Sequence, residues 1–164
     1  MSRVHPWAAV VLSLCTQVLA EQPGAAQPVV KVNGVAPAPV ELSIRQMAQL
    51  SSRTVSVAAH QAPVAHYQCV RLSDVLILAG IPMGPEVRGQ RLTESIRVSA
   101  RDGYQVTFAL AELEPDFRDN PSVLCYQKDG AAIALAEGPF RLIVPDDKKH
   151  GRWVRQVDAL TWMR

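Results

Sequence analysis

The sequence predicts a β-dominated α+β domain, and three features carry that prediction. Short stretches that alternate apolar with polar residues recur along the chain, as in Ile96, Val98, Ala100 and again in Tyr104, Val106, Phe108. Only two segments carry helical signals, and both are short. Turn dipeptides such as Asp102-Gly103 and Asp129-Gly130 separate the stretches at the close spacing of antiparallel strands.

Taken in order, residues 1–20 read as a cleavable signal peptide. Arg3 lies in a short polar start, an apolar run covers Trp7 to Cys15, and Val18-Leu19-Ala20 offers the small residues that a signal peptidase reads. The run is too short to cross a bilayer and has no amphipathic stripe. Leu14 stands where a lipoprotein signal wants a small residue, which argues against lipid anchoring at Cys15. Residues 21–39, rich in Ala, Pro and Gln, form an N-terminal tether and a first strand, Val29 to Val32, closed by Asn33-Gly34, a pair that favours a tight hairpin turn. Residues 40–164 form the main domain.

Within that domain Val40 to Leu42 is strand-like, and Ser43 with Gln46 makes a capping box for a helix through about Leu50. Thr54 to Ala59 returns to β character. Leu72, Val75, Leu76 and Ala79 give a helix one buried face, and Gly80 followed by Ile81-Pro82 stops it. The pattern on either side of Asp102-Gly103 is a hairpin. Ala109 to Leu113 reads as a helical turn, Val123 to Gln127 as a strand, and Lys128-Asp129-Gly130 as a turn towards Ile133 and Leu135. Phe140 to Val144 is a nearly continuous apolar strand ended by Pro145, and Asp158 to Met163 alternates to the end.

Composition narrows the function. Removal of Arg3 with the leader leaves sixteen basic against fifteen acidic residues. That balance argues against a nucleic-acid partner, whose phosphates call for a cationic surplus. After the leader no segment is long and apolar enough to span a membrane, so the mature chain is expected in a periplasm or beyond it. Cys69 and Cys125 survive processing; in an oxidising compartment they can pair, or stay as two separately buried thiols. Phosphate loops, nucleophile elbows, paired-His zinc helices and Cys-x-x-Cys pairs are all missing from the sequence.

The one concentration of chemically capable residues is Pro145 to Trp153, directly after the apolar strand. Lys148 and Lys149 supply point charge, Arg152 a planar fork of donors, and Trp153 a flat face for a ring. This loop can hold an anion. It also reads as a solvated turn whose charges keep a strand edge from pairing, and Asp146 and Asp147 partly neutralise it. His60 and His66 flank a Pro-containing segment, but with no third ligand nearby they read as polar loop residues rather than as a metal pair.

The stretch Gly138-Pro139-Phe140-Arg141-Leu142-Ile143-Val144-Pro145, followed by Lys148 to Val154, resembles the closing motif of the molybdopterin-binding domain of the sulfite oxidase family. Tyr67 to Gly80 resembles that family's strand-to-helix element, and Asp102-Gly103-Tyr104 and Phe108 to Leu113 are similar to two further pieces, all in order. The resemblance covers about Val29 to the end and implies a short, minimal relative with a mixed α+β fold. It further implies a molybdenum-pterin cofactor, with Lys148, Lys149, Arg152 and Trp153 near the pterin phosphate and ring, and a molybdopterin-dependent oxidoreductase if the chain is an enzyme. In active members of the family a cysteine thiolate from the loop after the strand matching Thr54 to Ala59 holds the metal. Here that loop is short and offers His60 near the ligand position, while Cys69 falls where the family usually has glycine. Imidazole does not reproduce the soft sulfur ligand. Two functions follow as expectations: an exported oxidoreductase or cofactor-binding subunit, or a non-catalytic periplasmic binding or partner module that has lost the cofactor. A thiol-redox role for Cys69 and Cys125 is a third.

Overall fold

The structure is a computed structural model and describes residues 27–58 and 63–164. The leader assigned to residues 1–20, and His60, lie outside the described residues. Among the described residues ten strands form two five-stranded sheets, with two short helices and a few single 3-10 turns between them. The β-dominated α+β class is therefore observed.

The first sheet contains β1 (Val29–Asn33), β2 (Val40–Ser43), β5 (Ser95–Ala100), β6 (Gln105–Ala109) and β10 (Val157–Met163), in the order β2-β1-β10-β5-β6. All its pairings are antiparallel except β1 with β10, which run parallel with Lys31 opposite Ala159. β1 thus sits inside the sheet, between β2 and the C-terminal strand. Side-chain alternation explains the choice of face: Val30 and Val32 are buried while Lys31 is exposed, and Ile96 and Val98 are buried while Arg97 is exposed.

Asn33-Gly34 does not make the tight hairpin its composition favours. β2 pairs with β1 from Val40 onward, and residues 34–39 form a longer connection. Gly34 has φ of 89°, and a Cβ there would lie 2.6 Å from the Trp162 carbonyl oxygen. The glycine serves close approach to β10 rather than a two-residue turn.

The second sheet contains β3 (Ser52–Val57), β4 (Ala65–Arg71), β7 (Val123–Lys128) and β8 (Ala131–Ala132) in sequence order, with β9 (Arg141–Ile143) also paired to β7. β7 and β9 are almost wholly buried, which is why Val123 to Tyr126 and Phe140 to Val144 read as apolar runs instead of alternating. One core cluster joins the inward side chains of both sheets, among them Val32, Val98 and Leu160 from the first and Val70, Leu124 and Leu142 from the second.

Helix α1 (Ile44–Met47) carries the expected capping box, with the Ser43 hydroxyl accepting from the Gln46 N–H and the Gln46 side chain accepting from the Ser43 N–H. It ends at Met47, its one fully buried residue, and the chain continues as a turn that brings Leu50 against the core. Helix α2 (Leu72–Leu78) buries Leu72, Val75 and Leu76, and Gly80 with φ of 95° follows it. Among the described residues no helix is long and apolar enough to cross a membrane.

Cys69 on β4 and Cys125 on β7 stand opposite each other in the register and form a disulfide, both fully buried. Of the two arrangements open from sequence, the structure takes the bond.

Candidate functional site: a cationic cleft at the end of the second sheet

The segment after β9 folds back on itself. Arg152 donates from Nε and Nη2 to the two carboxylate oxygens of Asp147, at 2.8 and 2.6 Å, and from Nη1 to Glu112 at 2.9 Å. Its guanidinium also lies 4.9 Å from the Phe108 ring centre. The hydrogen bond from Arg152 holds the Asp147 carboxyl below the ordinary range against the opposing effect of burial, and the same bond, helped by Glu112, raises Arg152. Glu112 in turn caps the turn at Leu110–Leu113 through the Ala109 N–H and receives Arg118. The Arg152 side chain thus ties the loop to the β6 end of the first sheet.

Trp153 is 9% exposed, donates its indole N–H to the Val144 carbonyl, and stacks on His150 at 3.9 Å between ring centres. Lys148 and Lys149 lie on the outer side of the loop, where with His150 and Gly151 they line a shallow surface depression. Tyr104 from the hairpin donates its hydroxyl to the Gly151 carbonyl and anchors the turn.

A better-formed cleft of about 340 Å³ opens on the other side of His150 and Trp153, at the end of the second sheet where β3 finishes, β4 begins and β7 finishes. Its polar part centres on Arg141. That side chain is only 7% exposed and donates from Nη1 to Glu137 and to the Tyr67 hydroxyl, the latter at 3.2 Å. The Arg141 Nε is buried with no hydrogen-bond partner among the described residues. Glu137 also receives Lys128 at 3.5 Å, and the Tyr67 ring lies within 5.3 Å of the Arg141 guanidinium and 5.6 Å of the Lys128 ammonium. Burial works to raise the Glu137 carboxyl, but Arg141 and then Lys128 outweigh it and leave the group below its ordinary range. Arg155 completes the cationic lining.

Sequence reasoning placed the chemistry in Lys148, Lys149, Arg152, Trp153 and His60. Of these, Trp153 lines the cleft, Arg152 is engaged with two acids elsewhere, the two lysines face the neighbouring depression, and His60 is outside the described residues. Tyr67, Lys128, Glu137, Arg141 and Arg155 were not singled out. One signal did point to them: Arg141 is a charge inside an otherwise apolar buried run, and such a charge requires a partner.

The molybdenum-pterin cofactor implied by the sequence resemblance can be tested against these residues. Its metal calls for a thiolate, and Cys69 and Cys125 are bonded to each other inside the sheet. Among the described residues no group of three or more His, Cys, Asp or Glu side chains could hold a metal ion. Arg152, matched by the resemblance to the phosphate, is held by Asp147 and Glu112. The described residues do not fit that group.

Fold and cleft together define a two-sheet α+β domain with a cationic, partly apolar recess at one sheet end. No family model and no curated protein matches the chain. Among solved structures it is similar to the sulfane dehydrogenase SoxCD from Paracoccus pantotrophus, with 16% identity, 82% of this chain and 37% of that chain covered, and a TM-score of 0.59. The likeness is one of fold, and the chain spans little more than a third of the length of that neighbour.

Replacing Arg152 checks its structural assignment. Arg152→Ala leaves Asp147 without its ion-pair partner and Glu112 with Arg118 alone, and is expected to lower stability by about 1–2 kcal/mol in urea unfolding. An unchanged midpoint would mean that the ion pairs are screened and the guanidinium is available to a ligand.

Proposed function

We propose that the chain is an exported, non-catalytic ligand-binding or partner module built on a molybdopterin-domain scaffold that has lost the cofactor. The observation that carries this reading is the disulfide: the two cysteines beyond the leader are bonded to each other in the core, so neither offers the thiolate on which the metal chemistry of the resembled family depends. The folded-back Arg152 supports it, because the guanidinium matched to the pterin phosphate already has two carboxylate partners. Export rests on the leader-like residues 1–20 and accords with a disulfide, which persists in oxidising compartments.

The test is metal and pterin analysis of residues 21–164, purified after export from a host that makes and loads the cofactor. Neither molybdenum nor pterin above background in folded protein is the expected result. Stoichiometric amounts of both, lost on mutating Lys148 and Lys149, would replace this reading with that of an exported oxidoreductase or cofactor-binding subunit.

A further inference from the structure

We infer that the cleft around Arg141 and Arg155 binds a small organic dianion, a dicarboxylate or a phosphate monoester; this deepens the binding-module reading and rests on it. Charge count comes first. Three cations, Lys128, Arg141 and Arg155, line the recess against one carboxylate, Glu137, which leaves a surplus of two positive charges. Glu137 already accepts from both Lys128 and Arg141, so the acid is internally matched. Arg155 is exposed and has no hydrogen-bond or ion-pair partner among the described residues, which leaves its planar donor set open to a carboxylate or phosphate.

The second argument is the unmet donor. Arg141 is more than nine-tenths buried, yet its Nε has no acceptor. That nitrogen is closed off from the recess, but of the other two only Nη1 is bonded among the described residues, to Glu137 and Tyr67, which leaves Nη2 of this cleft-lining side chain for an anionic oxygen. The third is shape and polarity. Val57, Pro63 and Ala65 give the recess an apolar part beside this polar group of residues, and the volume of about 340 Å³ lies at the small end of organic ligand sites. A bare inorganic anion would leave that part unused. A compact organic body with two negative charges uses both.

The experiment is calorimetric titration of residues 21–164 at low ionic strength with succinate, phenyl phosphate and inorganic sulfate as separate probes. At least one organic probe should bind saturably and about tenfold or more tightly than sulfate. Arg155→Gln should weaken that binding about tenfold or more, the effect of losing a charge-assisted bidentate contact. Arg45→Gln, an exposed charge of the same kind that does not line the cleft, should leave it unchanged. Arg155 is a surface residue, so its variant is expected to fold, and circular dichroism checks this. The inference is overturned if no organic probe saturates, if sulfate binds as well as they do, or if Arg45→Gln and Arg155→Gln weaken binding equally. Molybdenum and pterin content measured on the same preparation reports separately on the cofactor-free reading.

Discussion

Replacing both cysteines, as Cys69→Ala with Cys125→Ala, is expected to destabilise the domain by about 4 kcal/mol. The bond links β4 and β7, two adjacent strands of the second sheet, across 56 residues of chain. Closing a loop of that length in the unfolded ensemble removes about 4 kcal/mol of conformational entropy. Both side chains are fully buried, so truncation to alanine also removes packed atoms and acts in the same direction. For a domain of this size the loss corresponds to a fall in Tm on the order of 10 °C or more. Thermal and urea unfolding of the double variant against the oxidised parent check it, and a change below about 1 kcal/mol, with two free thiols titrated in the unfolded non-reduced parent, would show that the two sulfurs are not bonded in the native protein. Such a result would also reopen a thiol role for the pair.

Sequence patterns conveyed the local parts of this fold and missed the ones made by distant segments. The Asp102-Gly103 hairpin was legible because two alternating strands and the turn between them are contiguous, and β5 and β6 pair as that pattern requires. The Ser43–Gln46 capping box was legible for the same reason. Parallel pairing of β1 with β10 was not, since Val29 to Asn33 and Val157 to Met163 lie at opposite ends of the sequence, carry no mark of each other, and become neighbours only when the sheet assembles. Gly34 misled because the residues that favour a tight turn also favour close backbone approach, and here Trp162 supplies the neighbour.

The site follows the same division. The basic segment Lys148 to Trp153 was conspicuous because its charges are consecutive, but consecutive charges on a loop diverge. Arg152 turns towards Glu112 and Asp147, and the lysines turn to the outer depression. The cleft residues converge from four places: Tyr67 from β4, Lys128 from β7, Glu137 and Arg141 from either side of the β9 start, and Arg155 from the approach to β10. No window of sequence contains them. Only Arg141, a charge in an apolar strand, announced that something must meet it.

What meets it is Glu137, and removing that carboxylate is expected to cost the second-largest share of stability. Glu137→Gln leaves the Arg141 guanidinium, 7% exposed, with a neutral partner. Stripping the counter-charge from a buried ion is worth about 3–5 kcal/mol, and because Glu137 itself is 29% exposed the lower side applies, about 2–3 kcal/mol. The pH dependence gives the effect a signature. Glu137 has its folded-state carboxyl below the reference value of 4.5, so the stability it contributes is fully present above that value and is lost as pH falls through the lower folded pKa. The difference between parent and variant should therefore be constant from neutral pH down to about 5 and shrink below 4.5. Asp147 loses its own contribution over the same acid range, but it does so in both proteins and cancels from the difference. Urea unfolding of both proteins across pH 3 to 7 reads this directly. A gap that stays constant to the lowest pH would show that Glu137 acts through shape and hydrogen bonding, and the charge balance assigned to the cleft would then have to be redrawn with Arg141 uncompensated.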